Sequence, residues 1–120
     1  MRFRSLFIGI DKYRSPLISN LSCSVRDAQA LYGLFADTFG EGDSTLLTND
    51  QATRGAILVA LQQLQQSDLS DLVVIGFSGH GSDCHHLVSA DADPLHLDTT
   101  AIHLSGYTRN YLQAYYSREW

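Results

Sequence analysis

The chain has 120 residues, one domain's worth of material and too little for two ordinary cores, so a single domain over residues 1–120 is expected. Hydrophobic residues make up 44% and charged residues 18%, which argues against disorder, collagen and coiled coil. Eight basic against thirteen acidic residues leave a net charge of −5 with no visible basic patch, so no nucleic-acid partner is expected.

Residues 3–10 are a short apolar run rich in Phe and Ile and read as a strand buried on both faces. Asp11 and Lys12 end that run before it reaches the length of a signal peptide's apolar core, and no stretch approaches the roughly 20 residues that span a bilayer. A cytoplasmic chain without a membrane partner is the expectation. Cys23 and Cys84 are too few for a disulfide framework and are expected as reduced thiols.

Residues 11–22 carry Tyr13, Pro16, Asn20 and scattered serines without a period, which is loop chemistry, and the loop is long enough to line a site. From Val25 the apolar positions Ala28, Leu31, Tyr32, Phe35 and Phe39 fall on three- and four-residue spacings, predicting a helix with Ser22 or Ser24 as N-cap and Gly40 as its stop. A brief strand at residues 45–48 and a helix over residues 54–66 follow, with Thr53 as cap and Ile57, Leu61 and Leu64 on one face. Residues 72–77 are apolar without alternation, as a central strand of a parallel sheet covered by helices should be. The alternation of strands and helices predicts an α/β, doubly wound layer fold. After Gly81 the reading is short extended pieces at 86–89 and 99–104 with a turn at 91–94, then an amphipathic helix carrying Tyr107, Tyr111, Leu112, Tyr115 and Tyr116.

In open α/β sheets reacting groups gather beyond the carboxyl ends of the strands, and the central strand delivers Ser78, Gly79, His80 and Gly81 there. Glycines on both sides of His80 let a substrate chain approach, leave the Gly81 amide free to face a developing oxyanion, and present the imidazole as a base. A turn histidine between flexible glycines is the plain alternative. The near match of Gly76, Ser78 and His80 to a serine-hydrolase elbow fails, because histidine stands where the last glycine belongs and no helix follows. No phosphate-cradling glycine motif follows any strand, so nucleotide cofactors are not expected. Cys84, His85, His86 and His96 fit no standard zinc spacing. Asp91 and Asp93 offer a calcium option, but two carboxylates beside Pro94 are more often an ordinary turn, and no cofactor or metal is expected.

Phe7-Ile8-Gly9-Ile10 with Tyr13, Asp27-Ala28 at the end of residues 21–28, Phe39-Gly40, Leu46-Leu47, Ala52-Thr53-Arg54 and Phe77-Ser78-Gly79-His80-Gly81 follow one another in an order and spacing that resembles the caspase and metacaspase superfamily. The resemblance covers about residues 3–105, and it implies a three-layer sandwich with a mainly parallel central sheet. It also implies a cysteine endopeptidase in which His80 is the general base or acid and the Gly81 amide an oxyanion donor, the substrate being a peptide or protein. Asp27 and Ser78 match the positions with which metacaspases contact a basic side chain before the scissile bond; a carboxylate complementing a helix dipole is the plain reading of Asp27. Ser24 stands where many metacaspases have a cysteine. The sequence departs from the family where the next strand should end in Asp-x-Cys: it contains no such element before Trp120, and Cys84, four residues after His80 on the same loop, abandons the two-strand geometry.

The expectation is therefore a fold truncated before the nucleophile's strand and a chain that is inactive alone. The alternative is a noncatalytic pseudo-peptidase acting as a binding or regulatory module. An unpaired far side of the central strand also predicts self-association or a complementing chain.

Overall fold

Strands β1 (Phe3–Gly9) and β3 (Leu72–Ser78) are apolar along nearly their whole length because helices cover both faces of the sheet they centre. The computed structural model of the chain describes residues 2–40, 42–82, 86–103 and 113–117. Between β1 and β3 run helix α1 (Ser24–Phe39), strand β2 (Asp43–Thr48) and helix α2 (Arg54–Leu64). Beyond β3 lie strand β4 (His86–Leu87), the short helix α3 (Leu97–Thr100), strand β5 (Ile102–His103) and strand β6 (Gln113–Ser117). The main sheet is parallel throughout in the order β2-β1-β3-β6, while β4 and β5 form a separate antiparallel pair.

Successive side chains of a strand point to opposite faces, which divides the core in two. Phe3, Phe7 and Val74 turn toward Leu31, Tyr32 and Phe35 of α1. The ring of Phe7 meets Phe35 at 5.6 Å and Tyr32 edge-on at 6.3 Å, and Phe3 stacks on Phe39 at 5.0 Å. Leu6, Ile8, Val73, Ile75 and Phe77 turn the other way, onto Ile57, Ala60, Leu61 and Leu64 of α2. The result is the expected three-layer sandwich with a mainly parallel central sheet.

The chain leaves β1 through α1 to reach β2 on one side, then returns through α2 to place β3 on the other. The winding reverses between β1 and β3, and such a reversal opens a crevice beyond the carboxyl ends of the two strands. Their register puts Gly9 beside Ser78, and the Ile10 N–H donates to the Ser78 carbonyl at 3.0 Å, so the loops after both strands start from one point.

Helix α2 is capped as its sequence predicts: the Thr53 hydroxyl accepts from the Ala56 N–H at 3.2 Å. Helix α1 is not. Cys23 occupies its N-cap without a side-chain bond, and neither Ser22 nor Ser24 caps it. The Asp11 carboxylate instead accepts from the Ser24 N–H at 2.7 Å and the Val25 N–H at 3.2 Å. A carboxylate at a helix start satisfies otherwise orphaned donors and complements the dipole.

The tail also departs from expectation. Tyr115 and Tyr116 lie in β6, a strand and not a helix, and β6 pairs in parallel with β3 from Val74 opposite Gln113 to Ser78 opposite Ser117. An open row of β3 amides and carbonyls outweighs the four-residue tyrosine spacing, since tyrosine suits a pleated strand at least as well as a helix. The far side of β3 is therefore covered over this stretch, which corrects the expected open edge; Tyr107, Tyr111 and Leu112 lie outside the described residues. The piece expected to be extended at 99–104 splits, with Thr99 and Thr100 in α3 and Ile102–His103 in β5. Among the described residues no helix is long and apolar enough to cross a membrane.

Gly9 sets the distance between α1 and the sheet. A Cβ there would stand 2.5 Å from the Ser24 carbonyl oxygen and 2.7 Å from the Ala28 Cβ. Those neighbours are backbone and a short side chain that cannot swing aside. Gly9→Ala is expected to cost about 1–3 kcal/mol, the usual range for overpacking a close-packed site, read as a lower urea midpoint; an unchanged midpoint contradicts this account of the α1 contact.

Candidate active site

Strand β3 ends at Ser78, and the next residue must let the chain pass a buried ring. A Cβ on Gly79 would lie 2.9 Å from the Tyr13 hydroxyl oxygen and 3.0 Å from the Phe77 ring, so glycine is what fits. The Tyr13 hydroxyl accepts the His80 N–H at 2.9 Å and reaches the Ile10 carbonyl at a long 3.4 Å. The two rings stand 5.2 Å apart. Burial pushes the Tyr13 phenol up to about 12, against a weaker lowering by the His80 N–H, so the hydroxyl stays neutral and can donate to a carbonyl while it accepts an amide.

The His80 Nε2 lies 2.8 Å from the Ser19 carbonyl oxygen. A carbonyl only accepts, so this bond assigns the proton of the neutral ring to Nε2 and leaves Nδ1 as the bare, basic nitrogen. The Ser19 carbonyl is placed by the loop after β1. There the Leu21 N–H donates to the Asp11 carbonyl at 2.7 Å, and the Asn20 side chain accepts from the Tyr13 N–H at 3.4 Å. The Asp11 that caps α1 thus also anchors the segment that orients the imidazole. A nucleophile's base held by a third group is the arrangement that general-base chemistry needs.

Gly81 forms a bridge with Leu87 whose bonds run from the flanking residues: the Ser82 N–H donates to the His86 carbonyl and the Val88 N–H to the His80 carbonyl, both at 3.0 Å. In such a pair the central N–H points away from the partner strand. No described residue accepts the Gly81 N–H. His80 and Gly81 share the wall of a cleft of about 610 Å³ with residues 17–21 of the loop after β1 and with Ser82, Val88, Pro94 and Leu97.

Ser78 and Asp27, 51 positions apart, come together on the α1 side, where the buried Ser78 hydroxyl donates to the Asp27 carboxylate at a long 3.5 Å. Asp27 is exposed in the first turn of α1, where a carboxylate also complements the helix start. Neither residue lines the 610 Å³ cleft. The structure therefore divides the four expected site residues into two pairs on either side of the chain that leaves β3.

The remaining candidates have other contacts. Asp91 accepts the Arg54 N–H at 2.9 Å, at the start of α2. The His96 side chain and the Leu95 N–H hold Asp93 below the usual carboxylate range. His86 is buried, with its Nδ1 2.8 Å from the Ser82 hydroxyl and its ring edge-on to His103 at 4.3 Å. Cys23 is exposed beside α1, and Cys84 and His85 lie outside the described residues. The strand seated beside β3, Gln113–Ser117, contains no cysteine. Sequence reasoning missed Tyr13 as a prop and the Ser19 carbonyl as an orienting group; the long loop after β1 was the available signal, but a backbone oxygen leaves no residue-type signature.

Tyrosine ionises near pH 10 in the unfolded chain and near 12 here, so its burial stabilises the fold below pH 10 and that contribution is lost between pH 10 and 12. The wild type is expected to lose about 1.4 kcal/mol per pH unit across that window relative to Tyr13→Phe. Parallel pH dependences of the two proteins in urea titrations contradict the placement of this phenol.

The model of a family described as Caspase domain matches residues 2–114. No curated protein matches the chain. The crystal structure of protein GSU0716 from Geobacter sulfurreducens is similar in fold, with a TM-score of 0.61 at 20% identity over 68% of this chain. The match covers 32% of that protein, so this chain spans about a third of its length.

Proposed function

Since this chain belongs to the caspase-domain family, we propose that its β3 edge is the acid–base and substrate-binding part of a cysteine endopeptidase site of the metacaspase kind. His80 is the base, acting through Nδ1 on a thiol, and the Gly81 N–H faces the oxyanion of the tetrahedral intermediate. Asp27 and Ser78 receive a basic side chain before the scissile bond. The observation that carries the reading is the Ser19 carbonyl on His80 Nε2, because it leaves Nδ1 as the bare nitrogen of a neutral ring at a strand end bordered by a cleft.

Peptide cleavage then needs a thiol beside that nitrogen. Cys23 precedes α1 and Cys84 follows Gly81 by three residues, so neither stands on the strand beside β3. The chain alone therefore binds peptides without turning them over, and a complementing chain is the partner that would supply the thiol. A cytoplasmic site of action without a cofactor belongs to the same reading, with Asp91 and Asp93 as the calcium option that the assay below also probes. The absence of cysteine from β6 favours a second reading, a pseudo-peptidase that works as a binding or regulatory module.

Fluorogenic peptides with Arg or Lys before the reporter, given to the chain with and without calcium, are expected to show no cleavage beyond that of His80→Ala. Cleavage that disappears in His80→Ala overturns the proposed inactivity. Asp27→Asn is expected to weaken binding of an Arg peptide roughly three- to fivefold, the scale of an exposed ion pair, and to leave a Gln peptide unaffected. Equal loss for both peptides rules out the basic-residue pocket.

A further inference from the structure

We infer that the cleft beside His80 is a second recognition site, which takes a large aliphatic side chain of the peptide whose basic residue lies on Asp27. The inference rests on the proposed peptidase reading and adds to it a second specificity position on the other side of the strand end.

The cleft's chemistry selects its occupant. Leu17, Ile18, Leu21, Val88 and Leu97 supply its apolar walls, and its volume of about 610 Å³ falls within the ordinary range of ligand sites. Among the described residues that line it, none is Asp, Glu, Lys or Arg. A charged side chain entering it would lose water without gaining a counter-charge, whereas an aliphatic one would shed its hydration favourably. The only acid among the expected site residues, Asp27, stands outside the cleft, on the α1 side.

The cleft is continuous with the opposite half of the core. Val88 belongs to the cluster built on α2, and Ile18 and Leu97 pack against that cluster. At its mouth Leu17 is 70% exposed, a large apolar side chain left in water that an incoming side chain would cover. The polar groups on the wall identify the ligand as peptide. The Gly81 N–H has no acceptor among the described residues and can donate to a backbone carbonyl, while His80 stands next to it. A peptide crossing the β3 end with its basic residue toward Asp27 thus lays an aliphatic neighbour in the cleft and the basic residue's carbonyl near Gly81. The division of labour is charge on the α1 side and aliphatic bulk on the α2 side.

Three blocked tetrapeptides, acetyl-Ala-Arg-Leu-Ala-amide, acetyl-Ala-Arg-Ser-Ala-amide and acetyl-Ala-Gln-Leu-Ala-amide, titrated into the isotopically labelled chain and followed by NMR, test this. The Leu peptide is expected to bind roughly tenfold more tightly than the Ser peptide, as burial of one leucine side chain implies, and to shift the Gly81 amide. Leu17→Ser, at an exposed position that leaves the core intact, is expected to abolish most of that preference, and Leu97→Ser to do the same. Equal binding of the Leu and Ser peptides overturns the inference, as does absence of binding by all three. A leucine preference that Leu17→Ser and Leu97→Ser leave unchanged places the contact elsewhere and overturns it too. Should the Arg and Gln peptides bind alike while leucine still outbinds serine, the Asp27 pocket fails and the cleft stands.

Discussion

One hydrogen bond decides what the β3 edge can do. The Ser19 carbonyl has no proton to give, so at 2.8 Å it makes His80 Nε2 the donor and Nδ1 the free base. That bond exists because β1 and β3 lie side by side with Gly9 opposite Ser78, which brings the loop after each strand to the same crevice. Everything that holds the loop after β1 in place therefore acts on the imidazole: the Asp11 carboxylate on the α1 amides, the Asp11 carbonyl on Leu21, and the Tyr13 hydroxyl under the His80 N–H.

Packing and site geometry share the same glycines. Gly9 lets α1 sit against the end of β1, which brings Asp27 within reach of Ser78. A Cβ at Gly76 would stand 2.7 Å from the Phe7 ring, so the two central strands fit side by side only with an aromatic facing a bare backbone. Gly79 gives Tyr13 the room to hold His80. A fold that needed less close approach would place the same residue types at the same strand ends without bringing them into contact.

The sheet and both long helices were legible in the sequence because each rests on a long, local pattern. The unbroken apolar run of β3 signals burial on two faces, and Ile57, Leu61 and Leu64 do face the core together. What was not legible depends on distant partners. The α1 cap is Asp11, thirteen positions before Ser24, so the local serines misled. The tail's tyrosines carry a spacing compatible with a helix, and only the open edge of β3 decides for a strand. The four candidate site residues were named from motif resemblance, but their separation into an Asp27–Ser78 pair and a His80–Gly81 pair follows from which helix covers which face, and no single stretch of sequence encodes that.

The tautomer of His80 is the most direct test of this account. Nitrogen-15 NMR of the imidazole at a pH where the ring is neutral is expected to show Nε2 as the protonated nitrogen and Nδ1 as the bare one. A ring protonated at Nδ1 in the folded chain, or an even mixture of the two forms, contradicts the claim that the Ser19 carbonyl fixes the tautomer of His80.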